Sequence, residues 1–242
     1  MRSLGQIDGW PCQNAAVAVV SSDGVVASRG QARHEFRWAS VTKLLTATAV
    51  LVAAEEGILD LDEPAGPPGS TVRHLLAHAS GLPFEGDQPI ARPGERRIYS
   101  NSGFDLLGEI VAGRAEMPYD GYLRAAVLKP LALGSTRLRG RPSEGLSGQL
   151  EDLAAFGREL LAPRLLAAET LAEATTVAFA GLDGVLPGIG RQTPNDWGLG
   201  FELKDAKTPH WTGSRNSPTT FGHFGGAGTF LWVDPAVATA CA

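Results

Sequence analysis

Cysteine is scarce: Cys12 and Cys241 are the only two in 242 residues. Two are too few for a disulfide framework, and their separation fits no zinc-ligand spacing. They read as small, reduced core residues. Long apolar runs are also lacking. Leu44 to Ala54 falls short of the roughly 20 apolar residues of a membrane span and is followed by two glutamates. The first residues, MRSLGQIDGWPCQN, hold no apolar h-region, so no secretory signal is expected and the default location is cytoplasmic. There is no Lys/Arg run, and 21 basic against 26 acidic residues leave a net charge of −5. That balance argues against nucleic acid and anionic membranes as partners.

What is present fits a globular fold. Hydrophobic residues make up 43% and charged residues 19%, enough for a sizeable core. The length allows one domain or two lobes, and 30 Gly with 16 Pro imply many turns.

The chain is organised around Phe36 to Leu59. Val41 to Glu56 has no Gly or Pro and is rich in Ala and Leu, so it is expected to be helical, with Gly57 as its stop. It is apolar on nearly every face, which predicts burial all round. Ser40 stands at its start and Lys43 three positions on, on the same face if the first turn forms. A desolvated lysine has a lowered pKa. Such an amine beside a hydroxyl can take its proton and leave a nucleophilic oxygen. Taken alone, S-x-x-K is also what an N-cap serine and a snorkelling lysine look like.

Elsewhere, Ala15–Val20 and Val25–Ser28 around Ser21-Ser22-Asp23-Gly24 read as a hairpin. Ala32 to Trp38 reads as irregular and Leu61 to Ser70 as a Pro/Gly linker. Thr71 is expected to cap a helix over Val72–Ala79 that carries His74 and His78. That pair lacks the glutamate of H-E-x-x-H and a third ligand, so it reads as packing, and no metal or other cofactor is expected. Phe84 to Arg97 reads as a loop rimming a cleft. Helices are expected over Phe104–Arg114, Tyr119–Leu128, Glu151–Leu161 and Ala167–Thr175. A loop follows over Gly181–Pro194, then strands over Trp197–Leu203 and Thr229–Val233. Ala236–Ala242 can begin a last strand. Strands at both chain ends and helices between them predict an α/β (α+β) fold. Its antiparallel sheet would be built from both termini and flanked by helices, with a mainly helical lobe inserted. As one domain over 1–242, the sheet lobe would take 11–58 and 196–242, and the helical lobe 59–195.

Three motifs stand in order: Ser40-Val41-Thr42-Lys43, Tyr99-Ser100-Asn101 and His223-Phe224-Gly225. Together they resemble the S-x-x-K, Y-x-N and K/H-x-G set of the serine β-lactamase and penicillin-binding-protein superfamily, closest to its class C and esterase branch. VRHLLAHASGLP (72–83) and GHFGGAGTFLWVDP (222–235) resemble that branch too. The resemblance implies that Ser40 is the nucleophile, acylated by substrate. It implies an oxyanion hole from the backbone N–H groups of Ser40 and Gly226, with Gly225 letting the edge strand approach the ligand. Lys43 and Tyr99 would share the proton work, either one being the base, and Asn101 would bond Lys43 and the substrate. His223 would bind substrate in place of the lysine of K-T-G. The chain stops at Ala242, where such proteins continue into a C-terminal helix over the sheet. That helix is therefore expected to be missing, leaving apolar sheet surface exposed.

The function expected is a serine hydrolase working through an acyl-enzyme on small esters or amides. The alternatives are a β-lactamase or D-amino-acid peptidase, or a non-turnover penicillin-binding-like sensor. The partner is a small ester, amide or lactam; oligomeric state is left open.

Overall fold

The computed structural model describes residues 2–242. After a 3-10 turn over Arg2–Gly9, strands β1 (Ala16–Ser21) and β2 (Gly24–Gly30) make the expected hairpin. Gly24 takes φ +138° at the turn, a conformation that favours glycine. A short strand, β3 (Phe36–Arg37), leads into a 3-10 turn over Ala39–Val41 and then helix α1 (Thr42–Glu55). Gly57 ends the helix at φ +71°. The middle of the chain supplies α2 (Val72–Leu76), α3 (Asn101–Arg114) and α4 (Tyr119–Leu123), the last continuing as a π turn over Arg124–Leu128. Then come β4 (Arg137–Leu138), β5 (Leu146–Gly148), α5 (Leu150–Leu161), α6 (Ala168–Ala174), β6 (Gly184–Leu186) and β7 (Gly190–Gln192). The chain closes with β8 (Glu202–Leu203), β9 (Phe221–Gly225), β10 (Thr229–Asp234) and β11 (Thr239–Cys241).

The main sheet is antiparallel throughout, in the order β2-β1-β11-β10-β9-β8. β11 sits between β10 and β1, with Cys241 opposite Val19 on one side and Trp232 on the other. The two ends of the chain therefore meet in one sheet, as the strand signals implied. Helix α5 lies on that sheet: a β-carbon on Gly157 would come within 3.1 Å of Leu231 and 3.4 Å of Ala240. The sheet layer thus also draws on residues from the middle of the chain.

Helix α1 is the core. Every residue from Thr42 to Ala53 is buried. Its polar side chains stay because each is hydrogen-bonded. Thr48 donates to Leu44 O at 2.8 Å, Thr42 accepts from Leu146 N at 3.0 Å, and Thr46 donates to Pro142 O at 2.7 Å while accepting from Tyr119. No described helix is long and apolar enough to cross a membrane.

Several expectations need correction. Most of Trp197–Leu203 is a loop, with strand only at Glu202–Leu203. Gly198 and Gly200 explain this: a β-carbon on either would lie 2.0–2.1 Å from Ala174 O or Ala47 Cβ, so the segment is pressed edge-on against α6 and α1. The supposedly irregular Ala32–Trp38 contains β3, which joins β5 and β4 in a small second sheet. The Gly181–Pro194 loop folds into the β6–β7 hairpin. The α2 helix stops at Leu76, so His78 is off it, at φ +55°. Helix α3 begins at Asn101 rather than Phe104, because Ser100 is its N-cap and accepts from Gly103 N at 3.0 Å.

Candidate active site

Ser40 lies in the 3-10 turn that feeds α1, and the residue before it, Ala39, is held at φ +46°. Left-handed backbone at a non-glycine residue costs energy and is often found at functional sites. One turn on, the Lys43 side chain is fully buried. Its Nζ has three neighbours: Asn101 Oδ1 at 2.6 Å, the Ser143 carbonyl at 2.9 Å and Ser40 Oγ at 3.3 Å. The first two can only accept, so they take two N–H bonds. The third position of the nitrogen faces Ser40. It carries an N–H when the amine is charged and a lone pair when it is neutral.

Burial tips that choice. Desolvation lowers the Lys43 pKa to about 7, against weaker upward pulls from Asp105, Glu144 and Glu85. Among the described residues no carboxylate bonds Nζ directly. Near neutrality, a large share of the molecules therefore has a lone pair on Ser40.

Asn101 is oriented at both ends. Its Oδ1 accepts from Lys43, and its Nδ2 donates to Glu85 Oε1 at 2.9 Å. Glu85 is held in turn by Arg141, which also bonds Asp105. Asn101 is the first residue of α3, directly after the Ser100 cap.

Tyr99 and His223 face one another. Tyr99 OH is 3.4 Å from His223 Nε2. His223 Nδ1 is 2.6 Å from the Phe224 carbonyl, which can only accept, so Nδ1 carries the hydrogen. Nε2 is then an acceptor, and the phenol donates to it. Burial pushes the His223 pKa down to about 3, with the Lys43 charge adding to the effect. Burial also pushes Tyr99 well above its usual value, with the Ser40 hydroxyl close enough to bond it and pull slightly the other way. Both groups are neutral across the ordinary pH range.

Gly225 ends β9 against the serine turn. A β-carbon there would lie 2.4 Å from Trp38 O and 3.2 Å from Ala39 Cβ, so only glycine allows this approach. Thr229 on β10 ties the same carbonyl down at 2.8 Å. Gly226, in the turn after β9, is exposed with open space around it. All seven residues singled out from the sequence thus lie at or beside one place. Arg215 is exposed on the loop before β9 and makes no ion pair among the described residues.

Two contributors, Ser143 and Glu85, carry no signal in the sequence, whereas His78, which reads there as packing, does pack against the site. Ser143 acts through its carbonyl, which no residue type advertises. Glu85 is exposed in the 84–97 loop, where a carboxylate is ordinary. His78 supports Tyr99: its ring packs 4.7 Å from the Tyr99 ring, and its Nδ1 accepts from Ser100 N at 3.1 Å. His74 instead bonds Thr71 and stacks on Phe179.

The family model described as Beta-lactamase matches residues 11–242. The chain belongs to the beta-lactamase family. A crystal structure of a beta-lactamase from Mycobacterium bovis is similar over 99% of this chain and 89% of that one, at 53% identity and TM-score 0.97. Penicillin-binding protein 4* of Bacillus subtilis is 29% identical over 139 residues, which is 44% of this chain and 31% of that protein. The match therefore spans under a third of that relative's length. EstCE1, described as a hydrolase with promiscuous acyltransferase activity, shares the fold at TM-score 0.82 and 17% identity, over 99% of this chain and 91% of that one. Beta-lactamase-family folds thus serve differently described proteins, and the fold leaves the substrate open.

Proposed function

We propose that this beta-lactamase-family chain is a serine hydrolase that cleaves small esters or amides through an acyl-enzyme. The observation that carries the reading is the buried Lys43 amine, with a pKa near 7, facing Ser40 Oγ at 3.3 Å. A base poised near the working pH is the most effective one.

In acylation, Lys43 takes the Ser40 proton as Oγ bonds the substrate carbonyl carbon. The carbonyl oxygen becomes an oxyanion held by the N–H groups of Ser40 and Gly226. Collapse breaks the bond to the leaving group, which takes the proton from Lys43. The Tyr99 hydroxyl relays that proton, giving its own to the leaving atom as it receives the one from Lys43. Water then attacks the acyl carbon with Lys43 again as base; the bond to Ser40 Oγ breaks, Lys43 returns the proton to Oγ, and the acid is released. Asn101 fixes the amine and offers its amide edge to substrate. His223 supports Tyr99. Being neutral, it attracts a carboxylate only weakly, which favours uncharged esters over substrates carrying a carboxylate.

The identity to the Mycobacterium bovis beta-lactamase favours lactam hydrolysis as a second reading. A panel of p-nitrophenyl esters, D-alanyl peptides and a chromogenic cephalosporin, followed by intact mass, separates the two. We expect ester turnover, a fluorophosphonate adduct on Ser40, and loss of that adduct in Ser40→Ala. Labelling of another serine would sink the assignment. Efficient cephalosporin hydrolysis at pH 8 with esters untouched would favour the second reading.

A further inference from the structure

Phe84, Ile90 and Val185 are large apolar residues left 53–60% exposed, and all three line one cavity of about 670 Å³. Singly exposed apolar residues are ordinary, whereas a concave cluster marks a binding site. The cavity lies between the 84–97 loop and the β6–β7 hairpin, and Tyr99 is part of its wall. The Phe84 ring stacks on the Tyr99 ring at 6.0 Å and 21°. Phe84 is also the neighbour of Glu85, which holds Asn101. One aromatic ring thus separates this cavity from the nucleophile.

Its hydrogen-bond donors are occupied or peripheral. Arg97, buried in the floor, spends its guanidinium on the carbonyls of Asn195, Ala77, Ala178 and Phe179. Arg191 is paired with Asp183 at 3.0 Å, and Arg96 donates to the Ile90 carbonyl from an exposed position. An anion entering the cavity would lose water and find the Arg97 donors already taken by carbonyls. An uncharged apolar group loses nothing and buries its surface.

From this we infer that the cavity is the specificity pocket of the proposed hydrolase, and that it takes the apolar arm of a medium-chain acyl or aryl ester. The inference rests on the hydrolase reading for what happens at Ser40. It is independent of that reading for what binds. Each methylene drawn out of water is worth up to about fourfold in affinity or rate.

The test compares p-nitrophenyl acetate with p-nitrophenyl octanoate. Turnover is measured on the unmodified protein and on the doubly substituted Ile90→Ser, Val185→Ser protein. Binding is measured on Ser40→Ala, which cannot be acylated. Val26→Ser, at an exposed site on β2, is the control. We expect kcat/KM for octanoate to exceed that for acetate by ~10-fold or more. That ratio should collapse in the double variant, hold in the control, and reappear as tighter octanoate binding by Ser40→Ala. Equal turnover of both esters, unaltered in the double variant, would overturn the pocket and leave the hydrolase standing. Octanoate binding weakened by the double substitution, with no ester turnover in any form, would support the pocket and remove the hydrolase. Melting temperature checks that the double variant is folded. If it is not, Val185→Ser alone, at the most exposed of the three positions, gives the same ratio.

Discussion

The Nε2 of His223 accepts from the Tyr99 hydroxyl across 3.4 Å, and this fixes the imidazole as a neutral group inside the protein. The consequence for stability has a definite sign. In the unfolded chain a histidine protonates near ~6.5, whereas burial lowers His223 to about 3 in the fold. Between those values the unfolded state binds the extra proton, so stability is full above pH ~6.5 and falls as pH drops below it. At pH 5 the loss from this one residue is about 2 kcal/mol. His78, shifted the same way by burial, adds to it. Melting temperature should therefore decline from pH 7.5 to 5, and less steeply in His223→Gln. An equally steep decline in that variant would mean that His223 is not held neutral.

The same neutrality bears on substrates. A carboxylate-bearing substrate should gain no rate from His223 as pH falls from 8 to 5, because the imidazole does not charge in that range. His223→Lys should move preference toward such substrates. Progress curves for an ester and a D-alanyl peptide at several pH values measure both effects. A rise in peptide kcat/KM toward acid pH would show a charged imidazole in the cleft.

Lys43 predicts the shape of the main pH profile. Its amine must be neutral to take the Ser40 proton, and its pKa lies at about 7. On the proposed mechanism, kcat/KM for an uncharged ester rises with pH through ~7 and then levels. Glu144 is exposed and acts on Lys43 only through space, raising its pKa. Glu144→Gln should therefore move the rise toward lower pH, an effect best read at low salt. A profile centred below pH 5 would point to a carboxylate base instead.

The spacing of Ser40 and Lys43, at the start of an apolar Gly-free run, was legible because helical periodicity puts positions three apart side by side. The meeting of both chain ends in one sheet was legible from where the strand signals fell. Tyr99, Asn101 and His223 came only with the motif resemblance, since alone each looks like a core tyrosine, a cap or a buried ring. The choice between Lys43 and Tyr99 as base could not be read at all. It depends on desolvation, which lowers one pKa and raises the other, and burial is a property of the fold. The Ser143 carbonyl was invisible for a similar reason, being backbone. WGLGFEL looked like a strand because its apolar residues alternate, but its two glycines serve close packing against α1 and α6.

Lys43→Ala and Tyr99→Phe should each reduce kcat by ~10² or more, the usual scale for a positioned acid or base. Both reach Ser40, one by its amine and one by its phenol. If they form one relay, the double variant should lose little beyond the worse single, because groups acting as a unit are not additive. Losses that multiply would assign them to separate steps.

Gly225 and Gly226 are adjacent, and the structure gives them opposite tolerances. A methyl group at 225 would lie 2.4 Å from the Trp38 carbonyl and 2.5 Å from Thr229 Oγ1. Neither atom can withdraw freely, since Thr229 donates to that carbonyl. Gly225→Ala must push β9 away from the serine turn, at roughly 1–3 kcal/mol for such overpacking. For a chain of this size that is a fall in melting temperature of roughly 3–10 °C. The displacement also moves the turn carrying Gly226 relative to Ser40, so activity should fall further than stability alone explains. A methyl group at 226 meets nothing within 4 Å, so Gly226→Ala should melt like the unmodified protein. Thermal unfolding of the two variants side by side tests the pair. Equal melting temperatures would mean that β9 does not press on Trp38 and Ala39, and the placement of the edge strand against the Ser40 turn would be wrong.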